Sequence, residues 1–295
     1  MFPPRNRLSV TSLAIIAAAL TIAPVSAQQT RDGAASAPVP ALSSYADVAD
    51  LAVDSATIID ARIRRASPVP PAQQVGIPPQ LVRMYVEADV NTVIFGSTPV
   101  ARRVGYLVDQ PRRADGRAPR LNRQRVLLFA RPVATANRLQ LIGPQAQLAW
   151  DAGRDATVRS IVAERAAGAV PPAITSVAQA FHVAGTVAGE SETQIFLRTA
   201  SGDPVSLTIL RRPGQTPRWA VAFGEIVDES ATVPARRTLG WYRLACGLPP
   251  ALPATALSAM ASEEAQAATL DYRFVLRSLG ACDRSPPVPV PAPQG

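Results

Sequence analysis

LVRMYVEADVNTVIF, residues 81–95, carries the clearest β-strand pattern in the chain. Apolar side chains occupy alternate positions at Val82, Met84 and Val86, and the run ends at Gly96. Alternation with a period of two is typical of a strand with one buried face. The stretch therefore predicts one long β-strand, or two strands joined by a bend.

Further strand patterns flank this stretch on both sides. VLLFA, residues 126–130, is a continuous apolar run, which indicates a strand that is buried on both faces. The other strands are expected at 56–66, 101–109, 139–142 and 147–150, and the VLLFA strand at 125–132. This set includes no strong central helix, and a closed or nearly closed small barrel would pair the edges of such strands.

Three stretches of this block, residues 45–151, carry a resemblance to a known fold. They are ADLAVDSATIIDARI, VRMYVEADVNTVIFG and the sequence around RVLLFARPV. The block resembles the oligonucleotide/oligosaccharide-binding (OB) barrel of netrin-type, tissue-inhibitor-like secreted modules, and this implies a small β-barrel. Netrin-type modules usually contain disulfides, whereas this block has no cysteine. We therefore carry over the fold only, and no functional residue.

The second block, residues 152–282, shows a different order of elements. We expect one helix with Asp155 as its N-cap, followed by strands and then by helices. The strands are expected at 174–183, 193–199, 205–212 and 218–227, and the helices at 236–246 and 262–279. AFHVAGTVAGESETQIFL in this block is similar to stretches of secreted proteins from GC-rich Gram-negative bacteria, a resemblance that implies no function. The predicted fold class is α+β with mostly strands, an OB-like barrel followed by an α+β domain with C-terminal helices.

The first 27 residues have the pattern of a secretory signal peptide. Arg5 and Arg7 precede an apolar run that is shorter than the ~20 residues needed to span a bilayer. Val25-Ser26-Ala27 places small residues before a cleavage site. We expect cleavage after Ala27, a periplasmic or secreted location, and no stable membrane anchor afterwards. Two low-complexity segments are expected to lack regular structure, a linker at 28–44 and a Pro-rich tail at 283–295.

Cys246 and Cys282 are the only cysteines of the chain. An oxidising compartment outside the inner membrane permits one bridge, and both residues lie at the ends of predicted helices. We predict a disulfide between them, contributing about 3–4 kcal/mol through loop-closure entropy. The rival interpretation is a catalytic thiol, for which the chain offers only one histidine as a base.

Composition excludes several classes of chemistry. All 30 basic residues are arginine, so the chain has no Schiff-base lysine and no Walker A lysine. A single histidine excludes a His-x-x-x-His metal site. We therefore expect no cofactor and no metal ion.

An arginine-rich loop is the strongest candidate for a ligand-binding site. It surrounds a predicted turn at Asp115-Gly116, between two strands of the barrel. Guanidinium groups bind phosphate and carboxylate groups, so the candidate partners are an anionic envelope polymer or a periplasmic protein. Nucleic acid is not expected, because aromatic stacking partners are scarce nearby. The alternative is a solvated loop in an arginine-biased protein. The candidate residues are Arg112, Arg113, Arg117, Arg120 and Arg123.

A second hypothesis is a hydrolase or transferase in the second block. His182 is the only imidazole, and Ser191 and Glu192 follow it across a turn. Ser191 does not lie in a Gly-x-Ser-x-Gly motif, which argues against a serine hydrolase. Four acids are candidate acid–base or cation-binding groups, with a solvated surface as the alternative: Glu190, Glu192, Asp228 and Glu229.

The favoured prediction is a non-catalytic binding or interaction protein of the cell envelope. The alternative is the enzyme that uses carboxylates and His182. A cleft lined by His182 together with Glu190 or Glu192 would favour the enzyme, and separation of these groups would favour binding.

Overall fold

A computed structural model describes residues 44–135, 137–168, 170–224 and 233–286. The predicted signal peptide and most of the predicted linker and tail lie outside these residues. Within them, no helix has the length and apolar character needed to cross a membrane.

The N-terminal half forms a six-stranded, nearly closed antiparallel sheet behind a short helix, α1 (Tyr45–Asp54). Its strands are β1 (Thr57–Pro68), β2 (Leu81–Phe95), β3 (Arg103–Pro111), β4 (Arg125–Pro132), β5 (Leu139–Leu141) and β6 (Gln147–Ala149). They lie in the order β3-β2-β1-β4-β5, and β6 also pairs with β4. A parallel bridge between Gly105 and Arg138 joins β3 to β5 and brings the two ends of the sheet together. The predicted fold class is confirmed: the chain is α+β with mostly strands, and a nearly closed, barrel-like sheet is followed by a second sheet and C-terminal helices. The resemblance of this sheet to OB modules stays a prediction.

The central strands β1 and β4 are buried on both faces, as the VLLFA run predicts. Ile59 and Leu128 belong to the cluster of side chains that fills the barrel. Their neighbours Ile58, Leu127 and Phe129 point the other way and pack against the helices. The outward face of these strands therefore supports the rest of the molecule.

The second half begins with α2 (Ala152–Ala166), whose N-cap differs from the prediction. Asp151 lies in an extended conformation and accepts the backbone N–H of Arg154 at 2.8 Å. Asp155 already lies in the first helical turn, where its carboxylate pairs with Arg159. The prediction of Asp155 as the cap was wrong, because capping requires the extended residue just before the helix.

A four-stranded antiparallel sheet follows, in the order β10-β9-β8-β7. Its strands are β7 (Ile174–Ala184), β8 (Ser191–Thr199), β9 (Val205–Arg211) and β10 (Arg218–Ala222). Three helices follow, α3 (Leu239–Gly247), α4 (Ala254–Leu257) and α5 (Ser262–Leu279). The indole N–H of Trp219 donates to Ser278, and that of Trp241 to the carbonyl of Leu279, so both tryptophans tie this half to the end of α5.

One cluster of buried side chains contains residues from both predicted blocks. Phe129 and Leu148 contribute from the barrel, and Ile161, Trp241 and Tyr272 contribute from the second half. The two halves thus share apolar packing. A domain boundary near residue 151 stays a prediction.

The predicted disulfide is present between Cys246 and Cys282, with Cα atoms 4.9 Å apart. It joins the C-terminal part of α3 to the chain that follows α5. A disulfide is consistent with an oxidising compartment.

Candidate functional site

Two of the five candidate arginines hold the β3–β4 loop in shape. Arg112 donates through Nε to the carbonyl of Pro79 at 3.1 Å and through Nη1 to that of Gly116 at 3.2 Å. Arg113 pairs with Asp115 at 2.7 Å. Hydrogen bonds to backbone carbonyls occupy donors that a ligand would need. Arg112 and Arg113 therefore have structural roles in addition to any contact with a ligand.

The other three candidates, Arg117, Arg120 and Arg123, have exposed side chains. Arg123 has a positive φ of 70°, and its backbone N–H donates to the carbonyl of Ile63 at 2.7 Å. Leu121, which lies between Arg120 and Arg123 in the loop, is buried in the barrel core. The loop is thus anchored at its C-terminal end while these three guanidinium groups remain accessible.

A groove of about 890 Å³ lies on the side of the barrel. Its base is formed by the outward-facing parts of β2 and β3. One wall is formed by residues 67–73, at the end of β1 and just after it. The other wall is formed by residues 138–144, in and around β5. None of the five candidate arginines lines this groove. The sequence prediction and this groove therefore identify different places on the barrel.

An aromatic and an aliphatic side chain form the centre of the groove. Tyr85 and Leu107 are paired across β2 and β3, and Leu107 is half exposed. The Tyr85 hydroxyl extends over Gly105, where a Cβ atom added to the glycine would lie only 2.5 Å from the oxygen. The absence of a side chain at Gly105 therefore lets Tyr85 lie flat along the groove.

Charged groups lie at both sides of the groove. Arg83 and Asp109 form a bidentate pair, with N–O distances of 2.7 and 2.8 Å, and the hydrogen bonds that Arg83 donates to Asp109 raise the pKa of Arg83. Arg138 is exposed, and the described residues include no ion-pair partner for it. Gln73 and Gln140 also line the groove. The site thus combines an apolar platform, amide groups and one available guanidinium.

Sequence reasoning missed Arg138. It lies among loop residues before a three-residue strand, so no local pattern marks it. Its position in the groove follows from the bridge to Gly105, which is 33 positions earlier in the chain.

His182 and the acids of the enzyme hypothesis lie apart. The His182 ring faces inward, with Nδ1 2.8 Å from the Thr193 hydroxyl. Thr193 donates to Asp271 at 2.5 Å, and Arg211 donates to the other oxygen of the same carboxylate at 2.6 Å. Because the Thr193 proton is directed at Asp271, Nδ1 of His182 carries the hydrogen of the contact between them. Thr193 and Asp271 are fully buried, so this network links β8 and β9 to α5 in the interior of the protein.

The acids expected beside His182 lie in a separate cleft of about 480 Å³. Glu190, Ser191 and Glu192 line it, whereas His182 does not. Asp228 and Glu229 lie outside the described residues. Within the described ranges, no group of three or more metal-ligating side chains comes together.

No protein-family model matches the chain, and no curated protein is significantly similar to it. Function therefore has to be inferred from the groove and from the arginine loop.

Proposed function

We propose that the protein is a non-catalytic binding module of the cell envelope, exported through its N-terminal signal, and that the barrel groove holds an anionic envelope component. A groove lined by an aromatic ring, an aliphatic side chain and a few polar groups is the common form of a ligand site. The observation that carries the proposal is the combination, in one groove, of the Tyr85–Leu107 platform with Arg138, an exposed guanidinium without an ion-pair partner among the described residues.

The ligand chemistry follows from these groups. Tyr85 offers a flat face to an apolar or saccharide surface, and Gln73 and Gln140 offer amide donors and acceptors to hydroxyl groups. Arg138 can bind a phosphate or carboxylate group through two parallel hydrogen bonds. The exposed arginines at 117, 120 and 123 add positive charge to the same barrel and would favour approach of an anionic polymer. A periplasmic protein with an acidic surface is the alternative partner.

The hydrolase hypothesis gains no support from the arrangement of its residues. His182 faces a buried network, and Glu190 and Glu192 line a cleft without it. This is the separation that favours binding over catalysis.

The experiment compares retention of the mature chain on vesicles of Gram-negative outer membrane across a salt series. Tyr85→Ala and Arg138→Gln should each weaken retention several-fold, and added salt should weaken binding of the wild type, because exposed charges are screened within ~8–10 Å. Arg277→Gln removes an exposed cation on α5 and serves as the matched control. Retention of the groove variants equal to that of the wild type at every salt concentration would contradict the proposal.

A further inference from the structure

The sheet formed by β7–β10 carries apolar side chains on both faces. Its inner face is packed against the helices, with Ile195 and Leu207 fully buried. The opposite face, which we call the outer face, carries four large apolar side chains that remain 38–66% exposed. They are Phe181, Val183, Phe196 and Leu210. A sheet face in water is normally polar, so this composition points to a further layer.

The strand register places these side chains next to one another. Val183, Glu192, Leu210 and Arg218 form one row across the four strands, because each is paired with the next. The following two rows are Phe181–Gln194–Thr208–Ala220 and Gln179–Phe196–Ser206–Ala222. Phe181 and Phe196 contact each other edge to face, with ring centroids 5.9 Å apart. The aromatic pair lies on the β7–β8 side of the outer face.

Opposite charges lie at the two ends of β8 on this face. Glu192 and Arg198 are six residues apart, which corresponds to about 20 Å along a strand. The midpoint between them is Ile195, whose side chain points inward. A two-fold axis that lies midway between two facing sheets, perpendicular to β8 and level with Ile195, relates two copies whose β8 strands run in opposite directions. It brings Glu192 of each copy opposite Arg198 of the other.

The cleft beside Glu192 suits an incoming guanidinium. Glu190 and Glu192 both line it, together with Arg211 and Arg212. Arg211 is already held by Asp271, at 2.5 Å from its carboxylate. Among the described residues, two carboxylates therefore face one guanidinium, that of Arg212, which has no ion-pair partner there, and this leaves negative charge for the second copy's Arg198.

We propose that the outer face is a homodimer interface, in which two copies pack face to face about this two-fold axis. Closed two-fold dimers need a self-complementary surface, and the Glu192–Arg198 pair supplies that complementarity twice. Sheets packed in this way lie about 10 Å apart, a distance that side chains from both copies can fill. The aromatic pairs of the two copies meet beside the axis.

The size of the face sets the strength of the contact. Four strands spaced about 4.8 Å apart and about 20 Å long cover roughly 400 Å² per copy. This is below the ~800 Å² per partner of a standard stable interface. The dimer is therefore a reversible one that depends on protein concentration.

The test is sedimentation velocity of the mature chain over a concentration series. The wild type should shift reversibly from monomer to dimer. Glu192→Arg and Arg198→Glu should each weaken self-association at least ten-fold, because like charges then face each other. The double variant Glu192→Arg/Arg198→Glu should recover it, and an equimolar mixture of the two single variants should form a heterodimer.

Two controls separate this interface from other contacts. Arg277→Glu reverses the charge of an exposed arginine on α5, the helix that packs against the inner face of the sheet, and should leave dimerisation within about two-fold of the wild type. Phe196→Asp should abolish dimerisation, and circular dichroism checks that it folds. A wild type that stays monomeric at every concentration, or a dimer that the charge reversals do not change, overturns the proposal. Neither result bears on the groove, which lies on the barrel.

Discussion

The carboxylate of Asp283 accepts the backbone N–H of Ala46 at 3.0 Å, although the two residues are 237 positions apart. The same carboxylate accepts the N–H of Tyr45 at 3.3 Å, so it caps the first turn of α1. Asp47, within that turn, accepts the backbone N–H of Ser285 at 2.9 Å. The segment after the disulfide therefore closes onto the beginning of the folded chain, and residues predicted to belong to the unstructured tail are part of the fold.

Removing the Asp283 carboxylate should destabilise the protein. Asp283→Ala leaves two helical N–H groups without their acceptor and removes a negative charge from the positive end of the helix dipole, at a cost of about 1–2 kcal/mol. Asp283→Asn keeps one acceptor oxygen and should cost less. Urea unfolding measures both. Equal stability of the alanine variant and the wild type would show that α1 does not need this cap.

The disulfide should stabilise the same region. Cys246 and Cys282 are separated by 36 positions, and loop-closure entropy assigns about 3–4 kcal/mol to a bridge of that length. This is a large part of the ~5–15 kcal/mol that a domain has. Cys246→Ser/Cys282→Ser should lower the melting temperature measurably. If alkylation finds no free thiol in the wild type, so that the bridge is intact, an unchanged melting temperature of the double variant would contradict the predicted stabilisation.

Acid should weaken the fold partly through Asp60. This carboxyl is buried in the barrel wall and accepts hydrogen bonds from Arg125 at 2.7 and 2.9 Å and from Asn91 at 3.0 Å. Burial alone would raise the pKa of Asp60, but the hydrogen bonds from Arg125 and Asn91 lower it below its ordinary value. A lowered pKa in the folded state gives stability above the unfolded pKa of about 4, and this stability is lost as the pH falls through the folded value.

Asp60→Asn tests this dependence. The variant should be less stable than the wild type at pH 7, and the difference in free energy of unfolding should shrink below about pH 4 as Asp60 protonates. Chemical unfolding at a series of pH values measures it. A difference that stays constant down to about pH 2 would mean that folding does not lower the pKa of Asp60.

Gly105 and Tyr85 should be energetically coupled. Gly105→Ala places a methyl group 2.5 Å from the Tyr85 hydroxyl, so the ring has to move out of the groove. In a Tyr85→Ala background the three closest contacts of that methyl group are removed. A double-mutant cycle should therefore give a coupling free energy of about 1 kcal/mol, and Gly105→Ala alone should weaken retention on outer-membrane vesicles. Additive effects would show that Tyr85 does not lie over Gly105.

The sequence predicts the strands well where their pattern is local. The limits of β2 and β4 match the predicted 81–95 and 125–132, because alternation and a continuous apolar run report burial directly. The Cys246–Cys282 bridge follows from counting cysteines. The strand β3 is shifted by two residues, from 101–109 to 103–111, where polar residues at both ends leave its limits undefined.

The groove could not be predicted, because it depends on contacts between distant parts of the chain. Arg138 reaches it through the bridge to Gly105, and Asp271 reaches His182 and Thr193 only after α5 packs on the second sheet. The arginine loop could be predicted from the sequence, because its arginines are close together along the chain. A cluster of arginines in the sequence thus indicates an exposed loop, whereas the groove forms only when the barrel closes.

The most direct test of the proposed binding site is the hydrogen-exchange footprint of the wild-type mature chain on outer-membrane vesicles. We predict slower exchange in the groove segments 67–73, 105–109 and 138–144, with smaller changes in the loop 112–124 and none in β7–β10 beyond those seen on self-association alone. Protection confined to β7–β10, or no protection at a vesicle concentration that retains the protein, would contradict the assignment of the groove as the binding site.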